Sequence, residues 1–288
     1  GLGRYKAFFL VTADRDAIGT GGKNKGFAGG RFFAIDPGHS LEGNGRFLEV
    51  YDDLSFRDAC RFSLTPRFSH FSVFDDDTRF ALLRGVLALR DAERSGRLER
   101  LFTAYRAAFD PAGEAASSEE KALRARITAG IGEKEAEFRT SLAKVLSAAG
   151  EQVRLYDDLA PAGAALQEKA VEAIGNLEKL TSPTTWTSPG GSVPLKHLAV
   201  LPGKRVPWRG CVEGGSIVYR CGQPLPPRAA ELLRAFARAA GAGLEMPPGV
   251  PPSLTIPLDG AEAALDAFAV ERVAEATHPR EAQARQQA

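Results

Sequence analysis

The sequence predicts an α+β protein built in two parts, and three observations carry that prediction. Residues 75–180 are patterned almost throughout for amphipathic helices. Residues 181–195, TSPTTWTSPGGSVPL, interrupt that pattern with proline, serine, threonine and glycine, and read as a linker. Residues 196–276 then alternate short strand-like runs, turn signals and capped helical stretches in the order β-β-β-α-β-α. The expected domains are therefore 1–180, a linker at 181–195, and a small α+β accessory domain at 196–288. A length of 288 residues suits one large or two small domains.

Composition narrows the function classes. A hydrophobic fraction of 44% and a charged fraction of 25% match ordinary globular proteins, so neither disorder nor a fibrous repeat is expected. The formal net charge of +1 supplies no long-range attraction to nucleic acid or to an anionic membrane surface. No apolar run approaches 18 residues, so no membrane span is expected. Ala7–Val11 is too short for a signal-peptide core and leads into acids, not a small-residue cleavage site. Three cysteines, Cys60, Cys211 and Cys221, are too few for a disulfide scaffold or a four-cysteine zinc site. They are expected to be reduced and the location cytoplasmic, although Cys211 and Cys221 flank a predicted hairpin and could come close.

Each element follows from local signals. Residues 1–11 end in Phe8-Phe9-Leu10-Val11, a run that suits either a helix or a strand. Residues 31–36 and 46–51 read as strands, with Gly43-Asn44-Gly45 as the turn between them. The phenylalanines of residues 52–78 recur too irregularly for one helix face, so that stretch reads as a long aromatic loop. Asp75-Asp76-Asp77-Thr78 then precedes Phe80, Leu82, Leu83, Val86 and Leu87; acids favour a helix N-terminus, so a helix begins here. A second helix covers Arg97–Phe109, with Leu98, Leu101, Phe102, Tyr105 and Phe109 on one face. Ser117 and Glu120 have capping-box spacing and open a helix to Ala149. Its core stripe is Leu123, Ile127, Ile131, Phe138, Leu142, Val145 and Leu146, its charges form a solvated face, and its weak points are Gly130 and Gly132. Another helix runs from about Pro161 to Leu180.

Past the linker, His197–Leu201 reads as a strand and Trp208–Cys221 as a hairpin turning at Gly214-Gly215. Pro226-Pro227 starts a helix that Gly241 stops. Ser253–Pro257 is a strand, and Asp259 with Glu262 caps a last helix to about Ala276.

The chemistry concentrates in Thr12–Leu41, TADRDAIGTGGKNKGFAGGRFFAIDPGHSL. Two apolar runs, Ala7–Val11 and Phe32–Ile35, each lead into aspartate: Asp14 with Asp16 after the first, Asp36 after the second. Such a layout suits an ion or phosphate site, because the apolar runs anchor the backbone and leave carboxylates at its edge. A Walker phosphate loop is excluded, since Ala17 stands where its first glycine belongs and Asn24 where it needs serine or threonine. An EF-hand loop is excluded as well. Asp14, Asp16 and Gly19 fit its positions one, three and six, but Lys25 replaces the bidentate carboxylate at position twelve. A metal-nucleotide site remains, with a catalytic carboxylate, an amide ligand and a second carboxylate following a strand.

Asp14-Arg15-Asp16 with Asn24, then Phe33-Ala34-Ile35-Asp36-Pro37-Gly38, resembles the catalytic and metal-binding loops of the phosphatidylinositol 3/4-kinase and HipA-like kinase superfamily. The resemblance covers roughly 30 residues. Asp16 stands where those families often have histidine, and the spacing from Asp14 to Asn24 requires a glycine-rich insertion. The resemblance implies that 1–180 is a kinase-like C-lobe, a small sheet and loops followed by a helical bundle. It implies Asp14 as catalytic aspartate, Asp16 as a possible second acid, and Asn24 and Asp36 as Mg²⁺ ligands. Lys23 or Lys25 would supply positive charge to the nucleotide phosphates, and ATP would be the donor.

The resulting expectation is an ATP-dependent phosphotransferase acting on a protein, lipid or small-molecule hydroxyl. A kinase also needs an N-terminal lobe with a phosphate-covering loop and a lysine. Either that lobe is on sequence outside this chain, or the chain is not a complete kinase. The alternative expectation is a non-catalytic interaction module or effector fragment with a degenerate kinase-like fold, one that could be delivered to a host or target cell.

Overall fold

The computed structural model is α+β and describes residues 3–12, 25–29, 31–34, 79–109, 117–186, 198–200 and 206–266. The chain forms two compact units, residues 1–77 with 81–149, and residues 78–80 with 150–288.

The first unit opens with helix α1 (Gly3–Thr12) and a hairpin of β1 (Lys25–Ala28) and β2 (Arg31–Ala34). Ala7, Leu10 and Val11 are buried at helical spacing, which decides the helix over the strand. Helix α2 (Arg79–Arg94) follows, its first two residues grouping with the second unit. Gly85 of α2 lies against α1: a Cβ there would sit 2.1 Å from the Arg4 carbonyl oxygen and 2.8 Å from the Ala7 Cβ. Only a residue without a side chain permits that approach.

After a Ser95-Gly96 turn, with Gly96 at φ 68°, come α3 (Arg97–Ala108) and α4 (Ser118–Ala148). Ser117 Oγ accepts the Glu120 backbone N–H at 3.2 Å, as the capping spacing predicts. Gly130 and Gly132 do not interrupt α4. Its C-terminal half buries Phe138, Leu142 and Val145, and Phe138 meets Phe102 of α3 edge-on at 5.8 Å. Its N-terminal half departs from expectation, because Leu123 is 47% exposed and not core.

The second unit begins with α5 (Gly150–Asp158), a 3₁₀ turn (Ala160–Ala162) and α6 (Ala164–Thr181). The sequence reading has no separate helix at α5. Strand β3 (Thr184–Trp186) pairs antiparallel with β4 (Leu198–Val200), so part of the expected linker forms a strand. The main sheet contains β5 (Trp208–Glu213), β6 (Ser216–Cys221), β7 (Gly243–Glu245) and β8 (Ser253–Pro257), in the order β5-β6-β8-β7, all antiparallel. Helix α7 (Pro227–Ala239) links β6 to β7, and α8 (Ala261–Asp266) follows β8. Gly214 and Gly215, at φ 54° and 75°, make the two-residue turn that a right-twisted hairpin favours.

One face of this sheet is core. Trp208, Ile217, Tyr219, Cys221, Leu254 and Ile256 alternate inward and are buried. Helices α5 and α6 lie against that face. Trp208 Nε1 donates to Thr181 Oγ1, Tyr219 Oη donates to the Ala170 carbonyl, each at 2.9 Å, and Gly210 backs onto Leu155. The units therefore divide between Ala149 and Gly150, whereas the sequence reading sets its boundary at 181–195. The physical reason is burial, since α5 and α6 cover the sheet face that carries Trp208, Gly210 and Tyr219.

Candidate functional site

Of the six residues expected to form the site, Lys25 is described, as the first residue of β1. Asp14, Asp16, Lys23, Asn24 and Asp36 lie outside the described residues. What the structure supplies is the frame on either side of them. The β1–β2 ladder pairs Lys25 with Ala34, Gly26 with Phe33, Phe27 with Phe32 and Ala28 with Arg31. Its open end is thus the Lys25–Ala34 pair, whose Cα atoms in such a ladder stand about 4.5–5.5 Å apart. Asn24 is joined to that end by one peptide link and Asp36 by two. On the other side, Leu10, Val11 and Thr12 at the end of α1 are all buried. Thr12 Oγ1 donates to the Phe8 carbonyl at 3.0 Å, closing the last turn, and Asp14 is two links beyond it. Gly85 locks the same helix against α2.

Two polar clusters escape the sequence reading. The first joins α2, α3 and α4. Glu135 is buried and lies between two guanidinium groups. Arg106 donates to its Oε2, and Arg139 donates to its Oε1 at 2.8 Å. Arg139 also reaches Glu93 at 2.6 Å and Glu99 at 2.7 Å. Burial raises the Glu135 carboxyl, but the hydrogen bonds from Arg139 and Arg106 outweigh it and hold the group below its ordinary range. The signal was available: Glu135 follows Ile131 by four residues and precedes Phe138 by three, so it sits on the apolar stripe and not on the solvated face.

The second cluster lies on the open face of the main sheet. Arg220 donates to both Glu213 carboxylate oxygens, at 2.8 and 2.6 Å, and to Cys211 Sγ at 3.0 Å. The Arg220 hydrogen bonds hold the Glu213 carboxyl down to about 2. Burial, reinforced by Glu213, pushes the Cys211 thiol up, which opposes formation of a nucleophilic thiolate. The cluster reads as a cross-strand ion pair. Cys211 and Cys221 do not approach as a pair. Cys211 is opposite Val218 and Cys221 opposite Trp208, a three-residue offset that places them on opposite faces, and both are free thiols.

Among the described residues no three His, Cys, Asp or Glu side chains gather into a metal-holding group, and no helix is long and apolar enough to cross a membrane. Compared with protein families, curated proteins and solved structures, the chain has no match.

Proposed function

We propose that the chain carries the catalytic and metal-binding loops of an ATP-dependent phosphotransferase. The observation behind this reading is the register of β1 and β2. It sets Lys25 opposite Ala34, and in sequence Asn24 immediately precedes Lys25, Asp36 follows Ala34 by two residues, and Asp14 follows the buried Thr12 of α1 by two. A helix, an acid, an amide before a hairpin and an acid after it are the parts needed to hold a metal-nucleotide and aim a hydroxyl.

The donor set fits magnesium, because the Asp36 carboxylate and the Asn24 amide offer the hard oxygen ligands that Mg²⁺ prefers beside phosphate and water. When bound, the Mg-nucleotide supplies the phosphoryl group and neutralises charge developing on it. Asp14 orients the acceptor hydroxyl and takes its proton. Lys23 or Lys25 faces the negative charge of the phosphates, and Asp16 serves as a second acid. The acceptor is a protein, lipid or small-molecule hydroxyl.

Calorimetric titration of Mg-ATP tests the reading, into protein that includes the N-terminal lobe as well as this chain, with thermal melts of wild type and Asp36→Ala. Magnesium-dependent binding in the wild type, lost in Asp36→Ala without loss of melting temperature, is the expected result. On this reading Asp14, Asp16 and Asp36 share one site, so removing Asp36 would relieve repulsion while deleting the metal ligand. A wild-type protein that includes the N-terminal lobe and binds no nucleotide with magnesium overturns the reading. A second reading, an interaction module, draws on one observation: the exposed apolar residues of α3 and α4.

A further inference from the structure

Helices α3 and α4 leave an apolar surface uncovered. Leu101, Tyr105, Phe109 and Leu123 are 49%, 54%, 36% and 47% exposed. A single surface-exposed leucine is ordinary, but Leu101, Tyr105 and Phe109 share one face of α3, because they follow one another at four-residue spacing. Beside them is a cavity of about 360 Å³ lined by Phe102, Tyr105, Ile127, Gly130, Ile131 and Lys134. A Cβ on Gly130 would meet nothing within 4 Å, so the groove floor is open to a partner.

We propose that this face binds the same face of a second copy of the chain, with the two α4 helices packed antiparallel about Ile127. Charge selects this arrangement. Glu120, Leu123, Ile127, Gly130 and Lys134 follow three- and four-residue steps, the seam spacing of packed helix pairs. A two-fold axis at Ile127 sets residue 127−k opposite residue 127+k. Glu120 then meets the second copy's Lys134, Lys121 meets its Glu133, and Leu123 meets its Ile131, each twice by symmetry. Glu119 falls opposite Glu135, whose charge Arg106 and Arg139 already balance. A parallel pairing would instead set Glu120 on Glu120 and Lys134 on Lys134, so the charges choose the antiparallel arrangement.

Within one chain Glu120 pairs with Arg124 at 2.6 Å and Lys134 with Glu137 at 3.2 Å. These are surface pairs one helical turn apart, weak enough to share or exchange on docking. The apolar residues supply the attraction and the charges set the register. Self-association and magnesium-dependent nucleotide binding are separate readouts, so either reading can fail alone.

Sedimentation of the full chain across the micromolar range tests the proposal. The wild type should shift from monomer to dimer with concentration. Glu120→Lys and Lys134→Glu should each weaken the dimer by roughly tenfold, since each turns two attractions into two repulsions. An equal mixture of the two variants should recover dimer, because every contact is then opposite in sign. Both positions are outside the core, so the variants should fold, with Glu120→Lys melting slightly earlier because it sets a cation in the first turn of α4 beside Arg124. If either melts early, Glu120→Gln and Lys134→Gln test the same contacts without charge reversal. A wild type monomeric throughout overturns the proposal, as do variants that dimerise normally or a mixture no stronger than its components.

Discussion

Two glycines in helices of the first unit have opposite roles. At Gly85 an added methyl would be driven into the Arg4 carbonyl, and backbone cannot move aside as a side-chain tip can. Gly85→Ala should therefore cost roughly 1–3 kcal/mol, the range for overpacking, measured as a lower midpoint in urea. At Gly130 the added methyl meets nothing. Gly130→Ala should stabilise α4 by roughly 0.5–1 kcal/mol, because alanine loses less backbone entropy in a helix. Glu135 is the third residue with a defined task. Glu135→Gln removes the charge between Arg106 and Arg139 and should cost roughly 1.5–3 kcal/mol. Because the folded carboxyl is held below its ordinary value of 4.5, its contribution is present above that pH and is lost as pH falls through the folded value. The Gln variant should show a flatter acid limb in a stability–pH curve.

Among the elements, the β5–β6 hairpin allows the sharpest measurement. Glu213 should titrate with a midpoint near 2 by carboxyl NMR, and Arg220→Gln should return it toward 4.5. The sign is that of a depressed carboxyl: the pair supports the hairpin at neutral pH and withdraws that support between about 4.5 and 2. A midpoint unmoved by Arg220→Gln would remove Arg220 as the cause. The same strands decide the thiols. Since Cys211 and Cys221 are on opposite faces, mild oxidation should leave them unlinked to each other, read as two alkylatable thiols by peptide mass.

For the whole molecule, the division between Ala149 and Gly150 is open to a direct test. A fragment of residues 150–288 keeps α5 and α6 over the sheet and should melt cooperatively. A fragment of residues 196–288 exposes the face of Trp208, Ile217, Tyr219 and Ile256 and should aggregate or show no sharp melt. A cooperative melt from the shorter fragment would mean that the sheet and α7 make a sufficient core, and the boundary would return to the linker.

Local chemistry determined most of the elements in the second half of the chain. Gly214-Gly215 imposes its turn through positive φ, Ser117 caps α4, and Pro227 with Gly241 brackets α7, because these effects act within a few residues. The acids and the amide of Thr12–Leu41 stand as a candidate site on residue type and spacing alone, since Asp14, Asp16, Asn24 and Asp36 lie outside the described residues. Tertiary structure decided what depends on neighbours distant in sequence. It made Phe8–Val11 a helix by burying Leu10 and Val11, left Leu123 in solvent, and placed Glu135 between two arginines. It also assigned α6 to the sheet, through Ala170 and Thr181 accepting Tyr219 and Trp208. An apolar stripe states only that a helix has a face to bury; which surface buries it is settled by the rest of the fold.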